Sequence, residues 1–257
     1  MKSRERETCY EKPLECCHSN RAHRRFSAAA MNHNKNHTNQ SSPAKHPPSK
    51  RANHSQASHQ IRIIGGDWKR TPLTVISADG LRPTPDRVRE TVFNWLNHLF
   101  HSRWPQVTCL DMFAGSGALG FEAASRGVAK VLMFEAFTPA FKQLEQTKAK
   151  LKAEQISLQR GDALLLVKNL ISRGEKFDLI FLDPPFNLGF LEKILPFCRD
   201  LLAPEGVLYV ESEQALSSQQ DVSLPDWCAG WQIVRQDKAG SVYFHLLQRN
   251  TQSGEAD

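Results

Sequence analysis

The chain has 257 residues, 40% of them hydrophobic, with 33 Lys and Arg against 27 Asp and Glu, a formal net charge of +6. That length suits one large domain or a modest domain with appendages. No apolar run approaches the roughly 20 residues that span a bilayer, and "RFSAAAM" is too short and weak for a signal peptide. A cytoplasmic protein with no membrane partner is expected. The six cysteines, Cys9, Cys16, Cys17, Cys109, Cys198 and Cys228, form no C-x-x-C pair, so reduced thiols are expected, without a metal site or disulfide framework.

Residues 1–60 hold 11 of the basic residues, 4 of the acidic ones and 7 of the 10 histidines. They are rich in Asn, Ser, Gln and His and poor in large apolar residues, the composition of a disordered basic tail. Met31 is a possible second start. From Ile61 the pattern changes. "IRIIGGDWKRTPLTVI" has two β-rich stretches flanking Gly65-Gly66, as in a hairpin or a bent strand pair. "RPTPDRVRETVFNWLNHLF" then reads as a helix, with Thr84 as cap, Pro85 at the first helical position and Asp86 complementing the dipole. Val88, Val92, Trp95, Leu96 and Leu99 share its apolar face; Arg87, Glu90 and Asn94 fall elsewhere.

Beyond residue 104 strands and helices alternate. Strands are expected at 107–112, 130–134, 157–159, 177–182 and 207–211, with helices at 118–125, 139–152, 164–172 and 188–202. Such alternation indicates a parallel sheet covered on both faces. "WQIVRQDKAGSVYFHLLQR" reads instead as a hairpin turning at Lys238-Ala239-Gly240, which adds antiparallel strands at the last edge. The expected organisation is a tail (1–60), a hairpin-and-helix extension (61–104), a catalytic domain (105–250) and a disordered C-terminus (251–257).

"CLDMFAGSGALGFEAASRG" is a strand, a glycine turn and a helix. Gly115 and Gly117 permit a tight turn and close approach of a ligand, and Gly115-x-Gly117-x-x-Gly120 matches a dinucleotide fingerprint only formally. Asp111, ending the strand, would repel a pyrophosphate but suits the positive groups of S-adenosylmethionine (SAM). Glu135 ends the second strand, where an acid accepts ribose hydroxyls, and Asp162 follows the third, within reach of an adenine amine. All three acids stand at the carboxyl ends of parallel strands, where ligands bind.

The fourth strand runs into Asp183-Pro184-Pro185-Phe186. Two prolines remove backbone donors and stiffen the corner, leaving the Asp183 carboxylate and the Pro184 carbonyl as rigid acceptors. Phe186 offers a flat face for a base. This set suits an exocyclic amine on a nucleobase: two acceptors grip its N–H groups and aim the nitrogen at a methyl donor.

These residues carry a family resemblance. "DMFAGSG", "DPPF", "LYVESE" (208–213) and above all Arg82-Pro83-Thr84-Pro85-Asp86-Arg87-Val88-Arg89-Glu90-Thr91 resemble the RsmD family, 16S ribosomal RNA methyltransferases acting on a guanine N2. The likeness covers residues 61 to about 249. It implies the α/β class I SAM-dependent methyltransferase fold: a Rossmann-like, seven-stranded, mostly parallel sheet with one antiparallel strand, preceded by a small β-hairpin and helix. It implies Asp111, Phe113, Ala114, Gly115, Ser116, Gly117, Glu135, Asp162 and Ala163 around SAM, and Asp183, Pro184, Pro185 and Phe186 at the target base. Arg62, Lys69, Arg82, Thr84, Arg87 and Arg89 become candidates for contacting RNA or lining the cofactor cleft. The implied partner is 16S rRNA or the assembling small subunit, with a monomer expected and no obligate protein partner. An adenine-N6 methyltransferase on DNA or RNA is the alternative, since the corner grips any exocyclic amine. A nicotinamide-dependent oxidoreductase and an RNA-binding module with a dead cofactor pocket are the other classes weighed.

Overall fold

The computed structural model describes residues 60–76, 84–186, 188–216 and 224–250. Expectations for the basic tail up to residue 59, for Arg82 and for residues 251–257 lie outside them. Strands β3 (Thr108–Asp111), β4 (Lys130–Glu135), β5 (Ile156–Arg160), β6 (Phe177–Leu182), β7 (Leu202–Ser212), β8 (Trp231–Ala239) and β9 (Val242–Arg249) form one seven-stranded sheet. Its order is β5-β4-β3-β6-β7-β9-β8. Pairs from β5 to β7 are parallel, whereas β9 runs antiparallel to both neighbours. The chain builds outward from β3 through β5, then returns to the other side of β3 with β6. The crevice between β3 and β6 is therefore the topological switch point, where open α/β sheets bind ligands.

Alternation along the strands splits the core into two layers. Cys109, Leu179, Phe181, Val207 and Tyr209 pack with α1 (Asp86–Leu99) and α2 (Ala118–Ser125). Leu110, Ile180, Leu182, Leu208 and Val210 pack with α4 (Ala163–Ser172) and α5 (Phe190–Leu201). Helix α3 (Thr138–Leu151) joins the first layer through Leu144. Among the described residues no helix is long and apolar enough to cross a membrane.

Several boundaries differ from the sequence expectation. Gly65-Gly66 is not the tip of the first hairpin: β1 (Gln60–Arg62) pairs with β2 (Pro72–Thr74), and the glycines lie in the long loop between. That loop is pressed onto α2, where a Cβ on Gly66 would come within 1.8 Å of the Ser125 carbonyl. The glycine is needed for close approach as well as for its φ of 72°. The last hairpin turns at Gly240-Ser241, with Ala239 paired to Val242. Helix α5 begins at Phe190, after Gly189 in the left-handed region. Helix α1 begins at Asp86, so Pro85 is the cap residue and not the first helical one, and it offers no side-chain cap; the Thr84 hydroxyl is engaged with Glu211 and Asp183 instead. On α1, Val88, Val92 and Leu96 are buried as the periodicity requires; Phe93 and Arg89 join them.

Arg89 is fully buried, so it belongs to the fold and not to a nucleic-acid surface. It donates to the carbonyls of Thr84 (3.3 Å) and Arg62 (2.9 Å) and to Asp86 Oδ1 (2.6 Å). Its Nη1 lies 3.9 Å from Glu122, which is equally buried. Glu122 in turn accepts from the N–H groups of Ile64 (2.6 Å) and Gly65 (2.9 Å) and from Arg126 (2.7 Å). One carboxylate thus docks the hairpin loop, α1 and α2 together. The hairpin residues Ile61, Ile63 and Leu73 share the core with Phe181 and Tyr209, so the 61–104 segment is built into the body of the protein.

Glu122→Ala leaves the buried Arg89 charge short of its compensation. It should lower the unfolding free energy by about 3 kcal/mol or more, read from the denaturant midpoint. A second expectation concerns His245 on β9, whose Nε2 accepts from the Leu216 N–H and whose pKa burial lowers from 6.5 to about 4. The unfolded chain binds this proton first as pH falls, so His245 drains stability between pH 6.5 and 4. His245→Gln should flatten that part of the stability-against-pH curve, measured by urea unfolding.

Candidate active site

The four acids singled out from the sequence stand together at the carboxyl rim of the sheet. Asp111 ends β3, Glu135 ends β4, Asp162 caps α4 just beyond β5, and Asp183 follows β6. The parallel register that sets Asp111 beside Phe181 brings Asp183 to the same edge. Three of them accept from backbone N–H groups at the same rim. Glu135 accepts from the N–H of Gly115 (2.7 Å) and Phe137 (2.6 Å). Asp111 accepts from Gly120 (3.1 Å), and Asp162 from Leu165 (3.2 Å).

Two adjoining hollows form the cleft beneath this rim. Thr84, Asp111, Ala114, Ser116 and Phe186 line the first; Glu135, Phe137, Asp162 and Ala163 line the second. Phe113, Gly115, Asp183 and Pro185 border both, making the cleft continuous. At Gly115 an added Cβ would meet no protein atom within 4 Å, so the backbone faces open space where a ligand can approach. Gly117 differs: a Cβ there would strike Phe121 at 2.4 Å and Leu144 at 2.7 Å. Its lack of a side chain serves helix packing, and it does not line the cleft. Gly120 likewise lets α2 approach Met133 and Asp111.

The chemistry of the cleft fits SAM. Glu135, partly exposed in the second hollow, could accept the ribose hydroxyls of SAM, and Phe137 and Asp162 border the same hollow, where its adenine could lie. Asp111 is almost wholly buried, which pushes its pKa up to about 7 despite the N–H groups of Phe113 and Gly120, with the Glu135 charge adding to the rise. A cation placed beside it relieves that penalty by favouring the ionised form. The amino and sulfonium groups of SAM are such cations.

The D-P-P-F corner divides the cleft from a third hollow. Pro184, Pro185, Phe186 and Phe190 border both sides, and Glu211, Glu213 and Trp227 line the far side. Pro184 is buried, while Asp183 and Phe186 keep part of their surface open.

Sequence reasoning missed Glu211 and Tyr209. Both project from β7 to the same face as Phe181 and Asp183, and Thr84 completes the group. The Thr84 hydroxyl lies 2.7 Å from Glu211 Oε1 and 3.2 Å from Asp183 Oδ2, and the Tyr209 hydroxyl donates to Glu211 Oε1 at 2.7 Å. Burial raises the pKa of Asp183 well above the carboxylate range; the Glu211 charge adds to this, the Thr84 bond opposes it, and Asp111 contributes a smaller rise. Burial also raises Glu211, against the bonds from Thr84 and Tyr209. The available signal was positional, since Glu211 is an acid near the end of the fifth parallel strand.

Of the six residues considered for RNA contact, Thr84 and Arg89 face inward, while Arg62, Lys69 and Arg87 are exposed on the hairpin and α1. The Arg62 side chain pairs with Asp86 at 3.2 Å.

Residues 61–248 match the family described as Conserved hypothetical protein 95. Over 210 residues the chain is 42% identical to the ribosomal RNA small subunit methyltransferase D of Escherichia coli K12, covering 81% of this chain and 98% of that one. The protein of the same name from Haemophilus influenzae is 36% identical over 196 residues, 75% of this chain and 95% of its own. The solved structure of the Escherichia coli protein yhhF superposes with a TM-score of 0.61 at 39% identity, covering 74% of this chain and 98% of that one. A SAM-dependent methyltransferase of Agrobacterium tumefaciens, 18% identical, shares the fold at a TM-score of 0.51, covering 69% of this chain and 67% of its own. With this match spanning nearly all of the described fold, and with a rim of acids suited to SAM, the chain belongs to the RsmD family and is a SAM-dependent methyltransferase.

Proposed function

We propose that this methyltransferase modifies the exocyclic N2 amine of a guanine in 16S ribosomal RNA, on free RNA or on the assembling small subunit. The observation that carries the reading is the position of the Asp183-Pro184 corner, between the cofactor cleft and a separate hollow lined by aromatic and acidic side chains. The names of the Escherichia coli and Haemophilus influenzae relatives support the choice of small-subunit RNA.

When bound, SAM supplies an electrophilic methyl group on a sulfonium. The chain's own part is placement. The Asp183 carboxylate and the Pro184 carbonyl accept from the two amine N–H groups and direct the nitrogen lone pair across the corner. Phe186 stacks on the base, with Phe190 and Trp227 walling the hollow behind it. As the nitrogen gains its bond to the methyl carbon it must lose a proton, and Asp183 is the adjoining base. Orientation and electrostatics do most of the work, without an enzyme nucleophile. The exposed Arg62, Lys69 and Arg87 give the hairpin and α1 a basic surface for the phosphate backbone.

Incubating the protein with unmethylated small-subunit particles and SAM should yield N2-methylguanosine on nucleoside analysis. N6-methyladenosine in its place would overturn the assignment in favour of the adenine reading. Asp183→Ala should lower kcat by about 100-fold or more while leaving SAM affinity within about threefold, because one positioning acceptor is removed. Arg87→Ala should weaken RNA binding and reduce the slope of log affinity against log salt by about one. An unchanged slope in that titration would assign Arg87 to the fold.

A further inference from the structure

The hydrogen bonds behind Asp183 define a proton count. Thr84 carries one hydroxyl proton, yet its oxygen is within bonding distance of both Glu211 Oε1 (2.7 Å) and Asp183 Oδ2 (3.2 Å). If Thr84 donates to Glu211, then Asp183 must donate to Thr84. If Thr84 donates to Asp183, then Glu211 must donate to Thr84. Each arrangement places one proton on the two carboxyls. The first is favoured because Glu211 Oε1 also accepts the Tyr209 hydroxyl at 2.7 Å, and an oxygen taking two short O–H bonds behaves as an ionised carboxylate. The three partners sit almost wholly out of water, with Thr84 4% and Glu211 3% exposed and Tyr209 fully buried.

We propose that Thr84 and Glu211 are positioning residues for the methyl transfer: the Thr84 hydroxyl ties the Asp183 carboxyl to Glu211, fixes its rotation, and lets the pair share one proton. This rests on the methyltransferase reading above. With Oδ2 held by Thr84, Oδ1 is the Asp183 oxygen left for the substrate amine. When an amine N–H docks there, the Asp183 proton moves to the Thr84 oxygen as the Thr84 proton moves on to Glu211. Asp183 becomes the ionised acceptor, and the total charge of the pair is unchanged. The proton released by the methylated nitrogen then passes to Asp183, and one proton returns to water when the product leaves the open cleft. The other charged and titratable groups around the pair are Asp111 on β3, Tyr209 on β7, Arg89 bonded to the Thr84 carbonyl, and Glu213 on the far hollow. None of them connects the two carboxyls.

The test uses the full chain with its RNA substrate. Thr84→Val removes the hydroxyl with little change in shape and should lower kcat by about tenfold or more while SAM affinity by calorimetry stays within about threefold; Thr84→Ser should restore most of the loss. Glu211→Gln keeps the hydrogen-bond acceptor but removes the carboxyl that ionises first and takes up the relayed proton, so Asp183 must ionise on its own before it can accept the amine. The acid limb of the kcat/KM profile should then move to higher pH by about one unit. An unaltered kcat in Thr84→Val, a Thr84→Ser variant no better than Thr84→Val, or an unmoved acid limb in Glu211→Gln would each overturn the proposal. A parallel loss of SAM affinity would do so too, by assigning Thr84 to cofactor binding or to the fold. The wild-type assay separates the two levels: no methyl transfer by wild type sinks the proposed function, whereas an active wild type with an unaffected Thr84→Val sinks only the role given to Thr84 and Glu211.

Discussion

Five carboxylates, Asp111, Glu135, Asp162, Asp183 and Glu211, crowd one rim of a single sheet, and the fold has to supply a donor for each. Gathering like charges at a low-dielectric edge opposes folding, and burial raises the pKa values of Asp111, Asp183 and Glu211. Parallel strands leave their side chains at a common end, so the crowding follows directly from the topology. For three of them a donor lies just ahead in the chain: the Phe137 N–H for Glu135, the first turn of α2 for Asp111, the start of α4 for Asp162. A cation beside Asp111 would complete the compensation there by favouring its ionised form.

Asp183 and Glu211 are the exceptions. Their shared partner is Thr84, 99 residues before one and 127 before the other. That separation explains what the sequence disclosed and what it hid. Strand–helix alternation, the glycine turn and the acids at strand ends are local signals, and each is found where period and spacing place it. The hairpin loop, the start of α1 and the inward turn of Arg89 depend on partners far away in the chain. Thr84 has the composition of a helix cap, and Arg89 lies in a run of charges that reads as a solvated face. Only the meeting of α1 with β7 and α2 reveals that one serves a carboxylate pair and the other a buried ion network.

The glycines divide in the same way. From spacing alone Gly115, Gly117 and Gly120 form one motif. Their surroundings separate them into one position facing open cleft and two that let α2 pack against its neighbours. The motif is largely a packing device, because a helix that starts at the switch point must also sit close to the strand that carries Asp111.

The N-terminal segment can then be placed in the logic of the enzyme. Arg89 donates to the carbonyl of Thr84 and is itself held by Asp86 and, at longer range, by Glu122. Glu122 also fastens the hairpin loop through the N–H groups of Ile64 and Gly65. The hairpin, α1 and α2 therefore converge on one buried ion network, and the loop entering α1 leaves it with Thr84 aimed at the catalytic edge. Small shifts in that network move a hydroxyl whose partners lie 2.7 and 3.2 Å away, and hydrogen bonds weaken steeply over a few tenths of an ångström. The exposed basic residues that suit RNA, Arg62 and Arg87, border the same network, with Arg62 bonded to Asp86 and offering its carbonyl to Arg89. That surface is thus joined to the Asp183 carboxyl by a short covalent and hydrogen-bonded route. A segment that looks like an appendage in the sequence is, by its contacts, part of the wall of the active site.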